Sequence, residues 1–120
     1  MRQFDSIELW QDAIWGWATE RNLIDGSTIE GQLGKLDEEM QELRDAIAKH
    51  DSKETQDAIG DCVVVLTVIC EKLDLSLRHC MSAAFDEIKD RKGRMVDGQF
   101  VKEVAECSFM KVPERTFFTD

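Results

Sequence analysis

An all-α bundle of four main helices, followed by a short hairpin and a tail, is the architecture this sequence predicts. Three observations point there. Apolar residues recur at spacings of three and four through several long segments, as a helix with one buried face requires. The chain has one Pro and seven Gly, so few positions interrupt a helix. Glu, Asp, Lys, Leu, Ile and Ala are abundant, and at 120 residues one domain is the economical arrangement. That domain is expected over 1–103, with 104–120 as a C-terminal tail.

Asp5 followed by Glu8 reads as a capping box opening a first helix from about Ser6 to Asn22. Its apolar side carries Ile7, Trp10, Ile14 and Trp17, which places these aromatics in the core. Trp15 lies off that stripe and is the tryptophan most free to meet a partner or a base. Asp25-Gly26-Ser27-Thr28 is a turn signal, and Ser27 with Glu30 caps a second helix running to about Lys49. Leu36, Met40, Leu43 and Ile47 define its buried stripe, with Glu39 about 70° from the stripe's centre, at the rim of the core.

His50-Asp51-Ser52 ends that pattern, and a third helix follows from about Lys53 to Leu73. Between Cys62 and Cys70 only Thr67 is polar, so this helix is expected at the centre of the bundle. Gly60 inside it costs about 1 kcal/mol relative to Ala, which suggests close approach of a neighbouring backbone or a ligand. A fourth helix starts near Ser76 and buries Leu77, Cys80, Met81, Ala84, Phe85 and Ile88. Asp97-Gly98 between alternating residues signals a hairpin. From Lys102 onward there is no clear period; the phenylalanines of the tail would pack on a partner subunit or stay partly disordered.

The net charge of −10 argues against a protein held to nucleic acid or to an anionic membrane by a basic surface. No segment approaches the roughly 20 apolar residues of a membrane span, and the start lacks a signal peptide's apolar stretch, so a cytoplasmic protein is expected. Cys62, Cys70, Cys80 and Cys107 have no C-x-x-C spacing and read as reduced packing residues.

The candidate chemistry lies in two acidic clusters. Glu39/Glu42 and Asp57/Asp61 are like-charge pairs at spacings of three and four on neighbouring helices, and each such pair costs a few tenths of a kcal/mol. A hard divalent cation is the simplest compensation, since Mg²⁺ takes carboxylates together with substrate phosphates. Glu54, Asp57 and Asp61 stand in line with Val64 and Val68, so a face buried further along the helix carries carboxylates at its start. Lys89, Arg91, Lys92 and Arg94 form the dense basic cluster of an acidic chain, suited either to a helix C-terminus or to a phosphate clamp. Together these describe a hydrolytic phosphoryl or nucleotidyl transfer site without a P-loop, because no G-x-x-x-x-G-K-[ST] occurs. A di-iron bundle would need Glu-x-x-His pairs, and Ile47 and Ser76 stand three residues before His50 and His79 instead.

Three blocks carry a family resemblance. They are Gln32-x-x-Lys35-Leu36-x-Glu38-Glu39-x-x-Glu42-Leu43, then Asp57-Ala58-Ile59-Gly60-Asp61-x-x-Val64-Val65-Leu66, then Glu87 to Glu103 with Lys89-Asp90-Arg91-Lys92-Gly93-Arg94 at its heart. In this order they resemble the MazG-like nucleoside triphosphate pyrophosphohydrolases, in the short single-domain form found in bacteriophages. The resemblance implies Mg²⁺-dependent cleavage of a ribo- or deoxynucleoside triphosphate between the α and β phosphates, with Mn²⁺ as an alternative ion. It also implies a homodimer or homotetramer in a bacterial or phage-infected host cytoplasm, with no nucleic-acid or membrane partner.

The family pattern E-x-x-E followed by E-x-x-D maps onto Glu39, Glu42, position 58 and Asp61. This chain has Ala58 where the pattern has Glu, and neighbouring Asp57 stands as the substitute, so Glu39, Glu42, Asp57 and Asp61 are the expected metal ligands. Glu38 is the first choice for orienting or deprotonating the water. Lys89, Arg91, Lys92 and Arg94 would hold phosphate. Asp86 stands where relatives often have Asn and would contact base or ribose, or join the metal shell; Trp15 completes the substrate side. Two alternatives remain. One is action on phosphoribosyl-ATP or a modified nucleotide, and the other is a non-catalytic binding protein of the same fold.

Overall fold

The computed structural model describes residues 6–103. In chain order they form α1 (Ile7–Glu20), α2 (Leu23–Gly26), α3 (Ile29–Ala48), α4 (Ser52–Lys72), α5 (Leu77–Ile88), β1 (Gly93–Val96) and β2 (Gln99–Lys102). The all-α bundle and the hairpin are as expected; the single-turn α2, where a plain turn was read, is an addition. Two compact units divide the chain, Met1–Ser82 and Ala83–Asp120, with the division falling inside α5. The expected tail, 104–120, lies outside the described residues, as do Asp5 and Cys107.

Helix starts are set by short polar side chains that accept from otherwise unpaired amides. Ser6 Oγ accepts from Leu9 N (3.2 Å), Thr28 Oγ1 from Gly31 N (2.9 Å), Asp51 Oδ1 from Glu54 N (3.0 Å) and Ser76 Oγ from His79 N (3.2 Å). Ser6 therefore caps α1, one residue after the expected Asp5, and Thr28 caps α3, one residue after the expected Ser27. Ser27 instead donates its hydroxyl to the Leu23 carbonyl. Asn22, His50 and Asp74 leave α1, α3 and α4 in the left-handed region, the usual exit geometry of a helix.

In the first unit α4 is the organising element. It lies chiefly along α3 and also meets α1 and α2. The buried apolar positions are small: Ala18, Ala46, Ala58, Cys62, Val65, Val68 and Cys70, with Thr67 donating its hydroxyl to the Val63 carbonyl. Small side chains at the crossings let the helices approach closely, and the large apolar residues are displaced outward. Trp10, Trp15 and Trp17 are all more than two-fifths exposed, so the aromatic core expected for α1 is replaced by Gln11 and Ala18. On α3 the buried line is Gln32, Glu39 and Ala46, with Leu36 and Leu43 half-buried beside it, whereas Met40 and Ile47 are exposed. The inward face is thus rotated from the expected stripe, and Glu39 moves from the rim into the core.

Ile59, Val63 and Leu66 of α4 are exposed, so the centrality expected of this helix holds for only part of its circumference. No residue of α5 is buried: Leu77 is half-buried and Cys80, Met81, Ala84, Phe85 and Ile88 are exposed, which corrects the burial expected for all six. A Cβ added at Gly60 would meet nothing within 4 Å, so no backbone of the described chain requires that glycine. Cys62, Cys70 and Cys80 are free thiols, as expected. Burial, followed by the neighbouring Cys80, pushes the Cys70 thiol up to about 11.

In the second unit β1 and β2 pair antiparallel, Gly93 opposite Lys102 and Val96 opposite Gln99. Asp97 and Gly98 both take positive φ, 51° and 82°, the two-residue turn whose twist matches a hairpin. A side chain at Gly93 would collide with the Val101 carbonyl across the pair.

Candidate metal and nucleotide site

The close pairing of α3 with α4 brings Glu39 and Glu42, one turn apart on α3, against Asp61 on α4. One carboxylate oxygen from each lies within 4.8 Å of the others. Glu42 and Asp61 are exposed, but the Glu39 side chain is only 9% exposed. Its Oε2 faces Lys35 Nζ at 3.4 Å, while its Oε1 is buried with no hydrogen-bond partner. A desolvated carboxylate oxygen without a partner is costly, and a cation among the three carboxylates would relieve it. Donor type, number and the orphaned oxygen all suit a hard divalent ion that keeps open positions for water and phosphate.

Lys35 also stands 3.6 Å from Glu38 Oε1. These partners hold the Lys35 ammonium above its ordinary pKa, Glu39 first as hydrogen-bond acceptor and as charge, then Glu38. Burial is the main reason the Cys62 thiol is pushed up, with Glu39 and Asp61 adding to it.

A cleft of about 660 Å³ opens beside the carboxylates. It is lined by the charged Glu38, Glu39, Asp61 and Lys35 and by the apolar Trp17, Leu23, Val64, Val65 and Val68, with Gln32 and Thr28 also lining it. The Arg21 guanidinium lies 4.7 Å over the Trp17 ring. Lys72 fixes the α2 side of the cleft, donating to the carbonyls of Ile24 (2.7 Å) and Ser27. A cleft lined by apolar side chains together with carboxylates and one ammonium suits a ligand that carries both a flat heterocycle and charge.

Glu38 lines the cleft as an exposed carboxylate. Asp57 does not join the three-carboxylate group; it is exposed, pairs with Lys53 at 3.4 Å, and lines a smaller hollow of about 380 Å³ with Glu42, Glu54, Ala58 and Asp61. Ala58 is 4% exposed, its methyl part of the core. Trp15 is exposed and is not among the residues of the cleft, where Trp17 stands instead. In the second unit Lys89 pairs with Asp86, three residues before it, at 3.3 Å. Arg91, Lys92 and Arg94 are exposed, Arg94 lining a groove with Gly93, Val101, Lys102 and Glu103. Lys35 and Trp17 were not singled out as site residues by sequence reasoning. Lys35 sits three and four residues before Glu38 and Glu39, the spacing of a helical ion pair, which was the available signal.

The phosphoribosyl-ATP pyrophosphohydrolase family model matches residues 21–92, a stretch that contains all three clustered carboxylates, Lys35 and most of the basic cluster. An uncharacterised 18.2 kDa protein of the rep-hol intergenic region of Haemophilus phage HP1 is 41% identical over 56 residues, 47% of this chain and 34% of that protein. This chain therefore aligns with about a third of that relative's length. No solved structure matches. On the extent of the family match the chain belongs to the phosphoribosyl-ATP pyrophosphohydrolase family, within the MazG-like all-α NTP pyrophosphatase superfamily.

Proposed function

We propose that this protein is a Mg²⁺-dependent nucleoside triphosphate pyrophosphohydrolase that converts a ribo- or deoxynucleoside triphosphate to the monophosphate and pyrophosphate. The observation that carries this reading is the buried, half-partnered Glu39 carboxylate clustered with Glu42 and Asp61, beside a cleft that Glu39 and Asp61 line together with Trp17. Glu39, Glu42 and Asp61 would hold the ion; Mn²⁺ suits the same oxygen donors. Bound there, the ion supplies Lewis acidity and neutralises polyphosphate charge.

The remaining steps belong to the chain. Glu38, beside the cluster and in the cleft, orients a water and takes its proton as the water oxygen attacks phosphorus. The bond between that phosphorus and the bridging α–β oxygen breaks, and pyrophosphate and monophosphate leave. Trp17 takes the base side that sequence reasoning gave to Trp15. Asp57, paired with Lys53, is assigned a supporting charge beyond the three ligands. Lys89, Arg91, Lys92 and Arg94 hold phosphate, and Asp86 tempers that cluster through its pair with Lys89.

The exposed apolar residues Ile59, Val63 and Leu66 of α4, with Met81 and Phe85 of α5, support assembly as a homodimer or homotetramer. A bacterial or phage-infected host cytoplasm is the proposed setting, supported by the phage relative. A second reading, hydrolysis of phosphoribosyl-ATP at the same anhydride position, is favoured by the family model that matches. The test is pyrophosphate release with Mg²⁺ across all ribo- and deoxynucleoside triphosphates and phosphoribosyl-ATP. Selective turnover of phosphoribosyl-ATP would replace the first reading with the second, and turnover of none would leave a binding protein of this fold.

A further inference from the structure

We infer that Lys35 is an internal counter-cation of the metal-free protein, occupying Glu39 until a divalent ion displaces it and frees the ammonium into the cleft. The inference rests on the metal site proposed above and deepens it. Three observations carry it. Glu39 is the buried member of the carboxylate group, and among the described residues Lys35 Nζ, at 3.4 Å from its Oε2, is its ion-pair partner. The other carboxylate oxygen, Oε1, has no partner, so Lys35 compensates Glu39 only in part. The Lys35 side chain is itself half exposed and lines the cleft, where it is shared with Glu38 at 3.6 Å. It can therefore swing off Glu39 without unpacking a core.

An ammonium and a divalent ion next to one carboxylate repel each other, so the two occupancies exclude one another in large part. Binding of the ion then does two things. It completes the compensation of Glu39, and it turns Lys35 from a partner of protein carboxylates into a free cation facing the cleft. An anionic substrate would find that cation only after the metal is in place, which orders metal before nucleotide. Lys35 is in this sense a positioning residue: it acts through Glu39 and through the state of the metal site.

The experiment titrates Mn²⁺, without nucleotide, into the full chain and into Lys35→Met, Lys35→Arg and Arg44→Met, following free Mn²⁺ by electron paramagnetic resonance. Arg44 is an exposed cation of the same helix, hydrogen-bonded to Gln41, and reports the general effect of removing one positive charge. Lys35→Met is expected to raise Mn²⁺ affinity by about 5-fold or more and to lower the metal-free melting temperature. Lys35→Arg should restore both, and Arg44→Met should change affinity far less. Unchanged or weakened affinity in Lys35→Met, or an equal rise in Arg44→Met, overturns the inference while leaving the metal site standing. A wild-type chain that binds no Mn²⁺ removes both. As a readout independent of folding in the variants, the Lys35 side-chain nitrogen resonance of the wild-type protein should shift on addition of Mg²⁺; an unmoved resonance in the metal-saturated protein also overturns it.

Discussion

Gln11 on α1 and Leu77 at the start of α5 are joined directly: the Gln11 Oε1 accepts the Leu77 backbone N–H at 2.8 Å. The Nε2 of the same amide donates to Glu71 Oε2 (2.8 Å) and to the Leu75 carbonyl (3.1 Å). One buried side chain thus satisfies three groups around the turn after α4. Gln11→Leu should lower stability by about 2–3 kcal/mol, because two neutral bonds and one charge-assisted bond are lost together. Urea unfolding measures this. A change under about 0.5 kcal/mol would mean that water replaces the amide without loss.

Asp61→Asn keeps the shape of the side chain and removes one of three clustered charges. Divalent-ion affinity should fall at least about 10-fold, with turnover falling alongside it. Metal-free stability should hold or rise by a few tenths of a kcal/mol as repulsion is relieved. Calorimetric Mg²⁺ titration and thermal melts with chelator report the two effects. Full ion binding in this variant would remove Asp61 from the site.

Position 58 and its neighbour separate two ways of supplying a fourth carboxylate. Asp57→Ala should leave Mn²⁺ affinity nearly unchanged, since Asp57 is outside the clustered oxygens and already paired with Lys53. Ala58→Glu inserts a larger, charged side chain at a buried position that also borders Asp61 and Glu42. Its metal-free form should lose about 1–3 kcal/mol, and Mg²⁺ should return more of that stability than it adds to the wild type. Thermal shift with and without Mg²⁺ tests both, and a strong loss of affinity in Asp57→Ala would make Asp57 a ligand.

Gly60 has open space where a Cβ would go. Gly60→Ala should therefore raise the stability of the chain by about 0.5–1 kcal/mol through helix propensity. If stability rises while pyrophosphate release or subunit association is lost, a ligand or a second copy approaches this backbone. If both survive, the glycine serves neither.

Lys89→Met breaks an exposed ion pair with Asp86, so its cost in stability should stay below about 1 kcal/mol. If the ammonium holds phosphate, kcat/KM should fall about 10-fold or more, the loss of one charged contact. Steady-state kinetics beside a thermal melt decides between the two. Unchanged kinetics with a lower melting temperature would return the cluster to a helix-capping role.

Helix positions and the hairpin were legible because their causes are local. Asp51 before α4, Ser76 before α5 and Asp97-Gly98 between the strands each act within a few residues of themselves. The side of α3 that faces inward was not legible in the same way. Leu36, Met40, Leu43 and Ile47 form its most apolar line, yet the buried line is Gln32, Glu39 and Ala46. Two of these three are polar, and a reading by hydrophobic pattern does not place polar side chains inward. Glu39, Glu42 and Asp61 were readable as a group because two of them share one helix turn and the third precedes an apolar run. The Lys53–Asp57 pair, four residues apart on α4, was there to be read in the spacing; that Trp17 would stand in the cleft in place of Trp15 depends on how α1, α3 and α4 pack, which no local spacing encodes.

The small-residue core of the first unit also sets how the chain responds to temperature. Ala18, Ala46, Ala58 and Thr67 are almost fully enclosed, while tryptophans and leucines keep much of their surface in water. Folding of a single chain therefore removes less apolar surface from solvent than its composition allows. The heat-capacity increment of unfolding should then fall below the usual ~12–15 cal/mol/K per residue. A lone chain would have a shallow stability curve and a broad melt; association that covers α4 and α5 would steepen both, making the calorimetric signature depend on protein concentration.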